Sequence, residues 1–339
     1  MINRIFRLVD AKRVEMVQRE MKFTQESVLV RPEYMSICAA DRRYYFGNRK
    51  KEILQQKLPM ALIHESTGVV LHDFSGKLST GVKVVLVPLE TVECHSCVKD
   101  NYKSGNRFLS SNADGFMQDV FLTIHDRLVP TPDDYSNIYV FSELISVAIN
   151  ALEAFEKACK TDKKAFGVWG DGTMGFIISL VLKCYYPDAV VYVFGKNPRK
   201  LQRFSFADQT HYIDRIPESM HIDHCFECVG NSASEAAIAQ MIDLIAPQGC
   251  INLLGVSEEP ISVNTRSLLE KGLQLIGNSR SDIRDFYKAV TLIHDNSLCK
   301  RYLQMLISDE ISIKNETDIS HAFEQDLLND FKTIIKWEI

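Results

Sequence analysis

No stretch of this chain reaches the roughly 18 consecutive apolar residues that a bilayer-spanning helix needs. Behind Met1 the charges alternate through Leu8 with no apolar segment following, so a secretory signal peptide is not expected. Internal repeats and low-complexity tracts are missing too, which sets aside solenoid architectures and disordered tails. An excess of one charge is also lacking. Lys and Arg number 39 against 44 Asp and Glu, and the net charge of −5 argues against a binder of nucleic acid or other polyanions. One local basic group, Arg42, Arg43, Arg49, Lys50 and Lys51, survives that average. The nine cysteines are odd in number, scattered, and mostly set in apolar runs. They offer no disulfide framework and fit a reducing cytoplasm, where thiols pack or bind metal.

What is present suits a globular protein of two domains: 339 residues, 46% hydrophobic and 24% charged. Three textures succeed one another. Residues 1–146 carry short strand-like runs broken by turn signals, which predicts a mostly β, barrel-like unit. Residues 147–280 alternate strand and helix patterns, with strands expected at 166–169, 190–194, 211–213, 224–228, 251–254 and 273–276. A helix apolar nearly all round, Gly175–Tyr186, lies between the first two. Such βαβ alternation predicts a parallel, doubly wound α/β sheet. Residues 281–339 open on a helix and end in a strand, Thr333–Trp337, expected to return to the first zone.

Gly170-Asp171-Gly172-Thr173-Met174-Gly175 is a G-x-G-x-x-G loop directly after a strand and opening a helix. In that context it predicts a dinucleotide site: Gly170 for the tight turn, Gly172 for backbone approach to the pyrophosphate, Gly175 for close helix–sheet packing. The free N–H groups of the first helical turn, around Thr173 and Met174, then face the phosphates. An NAD site wants Asp or Glu at the end of the second strand. Here Phe194 is followed by Gly195 and Lys196, a small residue and a cation, which favours the 2′-phosphate of NADPH over NADH.

In the first zone Cys38 and the pair His64-Glu65 offer a thiolate and an imidazole suited to a catalytic zinc with one open position. Cys38-Ala-Ala-Asp41, His64-Glu-Ser-Thr-Gly68-Val and Phe226-Glu-Cys-Val-Gly230, together with the glycine loop, resemble the zinc-dependent medium-chain dehydrogenase/reductase family over essentially the whole chain. The resemblance implies a GroES-like catalytic domain built from residues 1–146 and 281–339, with a Rossmann domain, 147–280, inserted. It implies that Cys38 and His64 are zinc ligands and Glu65 a ligand or close neighbour. Phe141-Ser-Glu143 resembles the polyol dehydrogenase branch, where a glutamate replaces a third cysteine, so Glu143 is the third-ligand candidate. Its other reading is a helix-start carboxylate near the N-terminal dipole.

Two departures stand out. Only Cys94 and Cys97 occupy the region where many members carry a four-cysteine structural zinc, so none is expected. Ala40 stands where a Ser or Thr usually relays the alcohol proton, which leaves water, Tyr44 or Glu65. Arg43 and Arg280 are expected to grip a substrate phosphate, while Arg49–Lys51 read as a solvated face.

The segments 35–45, 58–65, 114–118, 254–258 and 264–273 resemble the ribulose-5-phosphate reductases of teichoic acid and capsule synthesis, and Gly255 is counted among the cofactor contacts. That resemblance implies NADPH-driven reduction of D-ribulose 5-phosphate to D-ribitol 5-phosphate, a ribitol-5-phosphate cytidylyltransferase as partner, and a cytoplasmic homodimer. The rival readings are an NAD-linked polyol dehydrogenase of unphosphorylated sugars and a non-catalytic dinucleotide binder.

Overall fold

The structure, a computed structural model, describes residues 1–92, 97–217 and 220–339. It forms two compact units: Met1–Glu143 with Ser281–Asp295 and Leu306–Ile339, and Leu144–Arg280 with Asn296–Met305.

The first unit is mostly β. Its seven-stranded sheet runs Leu128–Pro130, Lys83–Leu86, Glu65–Asp73, Ser27–Ser36, Lys332–Trp337, Ile307–Ile313, and Phe121–Ile124 also pairs with Ser27–Ser36. A three-stranded sheet of Arg13–Glu20, Ile2–Asp10 and Met60–Ala61 lies against the same core, where Phe6 meets Trp337 edge-on at 5.4 Å. The register of the central strands brings three distant segments together. Ser36 stands opposite Glu65 on one side and Ile334 on the other. The chain just beyond Ser36 therefore meets the start of one strand and the start of the last one.

The second unit holds a six-stranded sheet in the order Gln209–Tyr212, Val190–Gly195, Ala165–Trp169, His224–Glu227, Cys250–Leu253, Gln274–Gly277. Every neighbouring pair is parallel. Each observed strand lies within two residues of its expected place. The crossover helix, Thr173–Tyr185, is buried continuously from Gly175 to Leu182. An all-round apolar helix has to be covered on every side, and this one is. The strand order reverses at Ala165–Trp169, which opens a crevice at the carboxyl ends of the strands.

One expectation needs correction. The helix Ser297–Met305 belongs with the second unit rather than with the tail of the first. Its Tyr302 packs edge-on to Phe206 at 4.8 Å, and the Ser205 hydroxyl donates to the Tyr302 oxygen. Asn137–Ala158 forms one 22-residue helical stretch that is long and, on average, apolar enough to cross a membrane, although Glu143 and Glu153 interrupt its apolar run. In its most apolar window 78% of it is buried in the protein, the property of a core helix.

Candidate active site and dinucleotide cradle

Cys38 caps the short helix Ala39–Tyr45. Its sulfur accepts from the N–H groups of Ala40 at 3.2 Å and Asp41 at 3.5 Å, while the Asp41 carboxylate accepts from the Cys38 N–H at 3.1 Å. This is a capping box with a thiol where a hydroxyl usually stands. The other Asp41 oxygen accepts from Ile63 N–H at 3.0 Å and from the Ser110 hydroxyl at 2.6 Å, and lies 3.7 Å from His64 Nδ1. One buried carboxylate thus ties the Cys38 loop to the segment carrying His64.

That segment is strained. Ile63, a β-branched residue, has φ +71, a conformation that costs roughly 1–3 kcal/mol and persists only when its surroundings enforce it. Asp41 on one side and the Gly115–Phe116 backbone on the other do so. Gly115 has to be glycine, because a Cβ there would lie 2.3 Å from the carbonyl oxygens of both Leu62 and Ile63.

The result brings Cys38 Sγ to 3.5 Å from His64 Nε2. The nearest donor atoms of Cys38, His64 and Glu65 all lie within 4.8 Å of one another. Tetrahedral zinc with Zn–S of about 2.3 Å and Zn–N of about 2.0 Å would separate S and N by about 3.5 Å, so the pair fits that ion. Glu65 is fully buried, and Lys332, itself 4% exposed, lies 2.9 Å and 2.8 Å from its two oxygens. The Lys332 ammonium also donates to the Ile37 carbonyl at 2.8 Å. Lys332 is a site residue that sequence reasoning missed: nothing marks one lysine near the C-terminus until the last strand pairs with Ser27–Ser36. Glu143, 6% exposed, sits in the first turn of Ser142–Ala158 and feels the charges of His64, Glu65, Lys332 and Asp41.

The electrostatics are those of a cluster short of positive charge. Burial, then the Asp41 carboxylate, pushes the Cys38 thiol up. Burial pushes Glu143 up to about 7, and Glu65 adds to that. Burial also works against charge on Asp41, but His64 and the hydrogen bonds outweigh it and hold the carboxyl far below the usual range. For His64, burial pulls down while Cys38 and Asp41 pull up, and the net direction is up. A dication at the Cys38–His64 pair would relieve the thiol and the acids together.

Tyr44 is 4% exposed and belongs to the core, with the Arg49 guanidinium 4.6 Å above its ring. Arg49 is therefore not part of a solvated face. Arg42 pairs with the buried Asp326 at 3.4 Å, and Arg43 lies half-buried on the same helix. Arg280 belongs to the second unit, half-buried with φ +59, and its carbonyl accepts from the Asn150 amide at 3.1 Å. Glu93–Ser96, and with them Cys94 and His95, lie outside the described residues, while Cys97 is exposed. The eight cysteines among the described residues are free thiols.

In the second unit the glycine loop meets each geometric demand. Gly170 has φ +128 and donates its N–H to the Phe194 carbonyl at 2.9 Å. A Cβ on Gly175 would land 1.8 Å from the Gly170 oxygen. A Cβ on Gly172 would meet nothing within 4 Å, so the loop is open on that side. No side chain caps the helix that begins at Thr173, which leaves the N–H groups of its first turn for a phosphate. Gly255 borders this region: its N–H donates to Glu227 at 3.0 Å, and a Cβ there would strike that carboxylate. Glu227, 1% exposed, also accepts from Val229 N–H, Gly230 N–H and the Ser234 hydroxyl. It organises two loops at once, a role invisible before the strands were paired.

A second sulfur–imidazole group, Cys159, His224 and Cys250, is fully buried here. It does not fit a metal. The Cys250 N–H donates to His224 Nδ1 at 3.1 Å, so the proton is on Nε2, which lies 2.8 Å from the Asp162 carbonyl. Both ring nitrogens are in use.

Comparison with known proteins agrees with this geometry. Residues 24–133 match the alcohol dehydrogenase GroES-like domain and residues 188–295 the zinc-binding dehydrogenase domain. The ribulose-5-phosphate reductase of Bacillus spizizenii is 46% identical over 341 residues, covering 100% of both chains. This chain belongs to the ribulose-5-phosphate reductase family of zinc-type dehydrogenases. Ribulose-5-phosphate reductase 1 of Staphylococcus aureus is likewise 46% identical, over 99% of both chains. The crystal structure of S. aureus TarJ in complex with NADPH superposes with a TM-score of 0.89 at 44% identity, over 100% of both chains. The family is one of oxidoreductases, and the doubly wound sheet with a GroES-like unit is its fold.

Proposed function

We propose that this protein reduces D-ribulose 5-phosphate to D-ribitol 5-phosphate with NADPH, using a catalytic zinc held by Cys38, His64 and Glu143. The observation that carries the reading is full-length identity of 46% to a ribulose-5-phosphate reductase, with Cys38 Sγ and His64 Nε2 at a zinc-like 3.5 Å. When bound, zinc supplies a Lewis acid for the ketone oxygen and NADPH the hydride.

The chain's own residues prepare that chemistry. Asp41 favours the proton on His64 Nδ1 and leaves Nε2 to ligate, the usual work of a carboxylate behind a metal-binding imidazole. The N–H groups of Ala40 and Asp41 aim at the Cys38 sulfur and would support its thiolate once a metal offsets the burial that otherwise favours the thiol. Lys332 occupies both Glu65 oxygens, so Glu65 stands beside the centre and Glu143 is the remaining carboxylate for the third place. Gly170, Gly172, Gly175 and the N–H groups of Thr173 and Met174 receive the pyrophosphate. Lys196 lies near the 2′-phosphate, and Gly255 borders the cofactor. Arg43 and Arg280 hold the sugar phosphate. With Ala40 unable to relay a proton and Tyr44 sunk in the core, ordered water delivers it.

The product carries a phosphate monoester and no activated bond. Its use in a teichoic acid or capsule polymer therefore requires nucleotidyl transfer, and a cytidylyltransferase making CDP-ribitol is the partner we assign. The reaction takes place in the cytoplasm. The edge strand Gln274–Gly277 shows Leu275 at 38% exposure, with Val256 at 61% and Leu269 at 80% in the same unit, and supports a homodimer joined there.

A turnover assay of the zinc-loaded protein tests the activity, pairing NADPH or NADH with ribulose 5-phosphate, sorbitol or xylitol. NADPH with ribulose 5-phosphate should dominate. Faster turnover of unphosphorylated polyols with NAD would replace the proposal by the polyol dehydrogenase reading, and no turnover at all by that of a dinucleotide binder.

A further inference from the structure

Cys184 and Cys299 meet inside the second unit, where the helices Thr173–Tyr185 and Ser297–Met305 pack against each other. Both are free thiols, and the Cys299 thiol donates a hydrogen bond to the Cys184 sulfur. Cys184 is half-buried in the last turn of its helix, next to the exposed Tyr185. Cys299 is fully buried in the first turn of the other. That second helix is pinned around the pair. The Cys299 N–H donates to the Asn296 side chain at 3.0 Å, and one turn later Tyr302 packs edge-on to Phe206 at 4.8 Å. The pair stands apart from the cofactor loop: eleven positions separate Cys184 from Thr173, about 16 Å along a helix.

Oxidation selects a sulfur that is accessible and has thiolate character, and a disulfide needs a second sulfur within reach. Cys184 meets these conditions. The Cys299 hydrogen bond holds its thiol below the ordinary range, against the opposing effect of burial. The same bond, with burial, pushes Cys299 up, so the shared proton rests there. Cys159 and Cys250 are also neighbours, but both are buried, and burial and then Cys159 push the Cys250 thiol up to about 11. Burial pushes Cys225 and Cys228 up as well.

We infer that Cys184 and Cys299 are an oxidant-responsive pair that closes to a disulfide when the protein meets a peroxide, with Cys184 attacking and Cys299 resolving. The inference is independent of the substrate and cofactor readings above. In the first step the Cys184 thiolate attacks one peroxide oxygen. An S–O bond forms, the O–O bond breaks, and the leaving hydroxide takes up a proton to become water. The Cys299 sulfur, giving up its own proton, then attacks the sulfur of the Cys184 sulfenic acid. The S–S bond forms, the S–O bond breaks, and a second water leaves. Two thiols have lost two electrons and the peroxide has gained them. The positive end of the helix Ser297–Met305 lies at Cys299 and favours its thiolate in that second step. The product ties this helix to the crossover helix. The tie joins two stretches of chain that enter the unit separately, since Leu144–Arg280 ends before Asn296–Met305 begins. It closes a loop of about 115 residues, which restricts the unfolded chain and so favours the folded unit.

The test is peptide mapping by mass spectrometry, without reductant, of the full-length folded protein treated with hydrogen peroxide. A linked peptide pair carrying Cys184 and Cys299, lighter by two hydrogens and released by dithiothreitol, is expected. The thermal midpoint of the oxidised protein should lie above that of the reduced protein. In Cys299→Ala the reaction should stop at the Cys184 sulfenic acid, trapped by dimedone, whereas Cys184→Ala should leave Cys299 unlabelled at the same dose. The map of the wild-type protein needs neither variant, so a substitution that fails to fold does not remove the test. Folded protein in which peroxide oxidises other cysteines and leaves these two as thiols would overturn the inference, as would a link that forms only after unfolding in urea. Dimedone on Cys299 in Cys184→Ala would overturn the assigned order, and a link that lowers the thermal midpoint would overturn the stabilising tie.

Discussion

Lys332→Met isolates the charge balance behind the candidate zinc centre. Lys332 is 4% exposed and places its ammonium 2.8–2.9 Å from both oxygens of a fully buried Glu65. Burial lowers its tendency to hold a proton, yet Glu65, then Cys38 and Asp326, raise it, so the ammonium is charged in the folded protein. Removing one partner of a buried ion pair strands the other, at a cost of about 3–5 kcal/mol. In a unit of this size that lowers Tm by roughly 6–20 °C. The measurement is chemical denaturation of chelator-stripped protein, so that metal binding does not add to apparent stability. Adding Glu65→Met removes both charges and should restore most of the loss, because apolar replacement of a whole buried pair is often close to neutral. A single variant within about 1 kcal/mol of wild type, or a double variant no more stable than the single, would refute the pairing as the reason Glu65 can be buried.

Cys38→Ser should abolish stoichiometric zinc, read by atomic absorption, and lower kcat/KM more than the 10–100-fold typical of outer-shell changes; full activity in a zinc-free variant would remove the metal from the mechanism. Gly172→Ala and Gly175→Ala should separate, since one Cβ meets open space and the other a carbonyl at 1.8 Å. The first should keep its Tm and lose NADPH affinity, whereas the second should lose at least about 1–3 kcal/mol of stability as well; equal Tm values would contradict the packing. In metal-free protein Glu143 is pushed up to about 7 from 4.5, so folding takes up a proton between those values. Its contribution is fully present below pH 4.5 and is lost as pH rises through about 7, up to about 3 kcal/mol in all. Glu143→Gln should flatten that slope in denaturation series from pH 5 to 8, and an unchanged slope would show that Glu143 is not the group titrating.

How much could be read in advance depends on how far apart the cooperating residues lie. The glycine loop and its strand, helix and second strand are local, so the spacing of Gly170, Gly172 and Gly175 already carried the dinucleotide reading, and the period of the apolar residues carried the parallel sheet. Cys38 and His64 are 26 positions apart and needed a family resemblance to be paired. Lys332 is 267 positions from Glu65, and no local pattern connects them. Only the pairing of the last strand with Ser27–Ser36 brings that ammonium to the site. The same holds for Arg215, an unremarkable turn residue until the register of two parallel strands places it on one cavity with Lys196. Tyr44 shows the converse: its position next to the cysteine loop suggested chemistry, but the helix face it occupies turns it into the core. Local sequence determined the elements and the cofactor loop, because turn geometry and burial periodicity act over a few residues. The charge balance of the candidate site was decided by long-range strand pairing, which brings together buried groups that must neutralise one another.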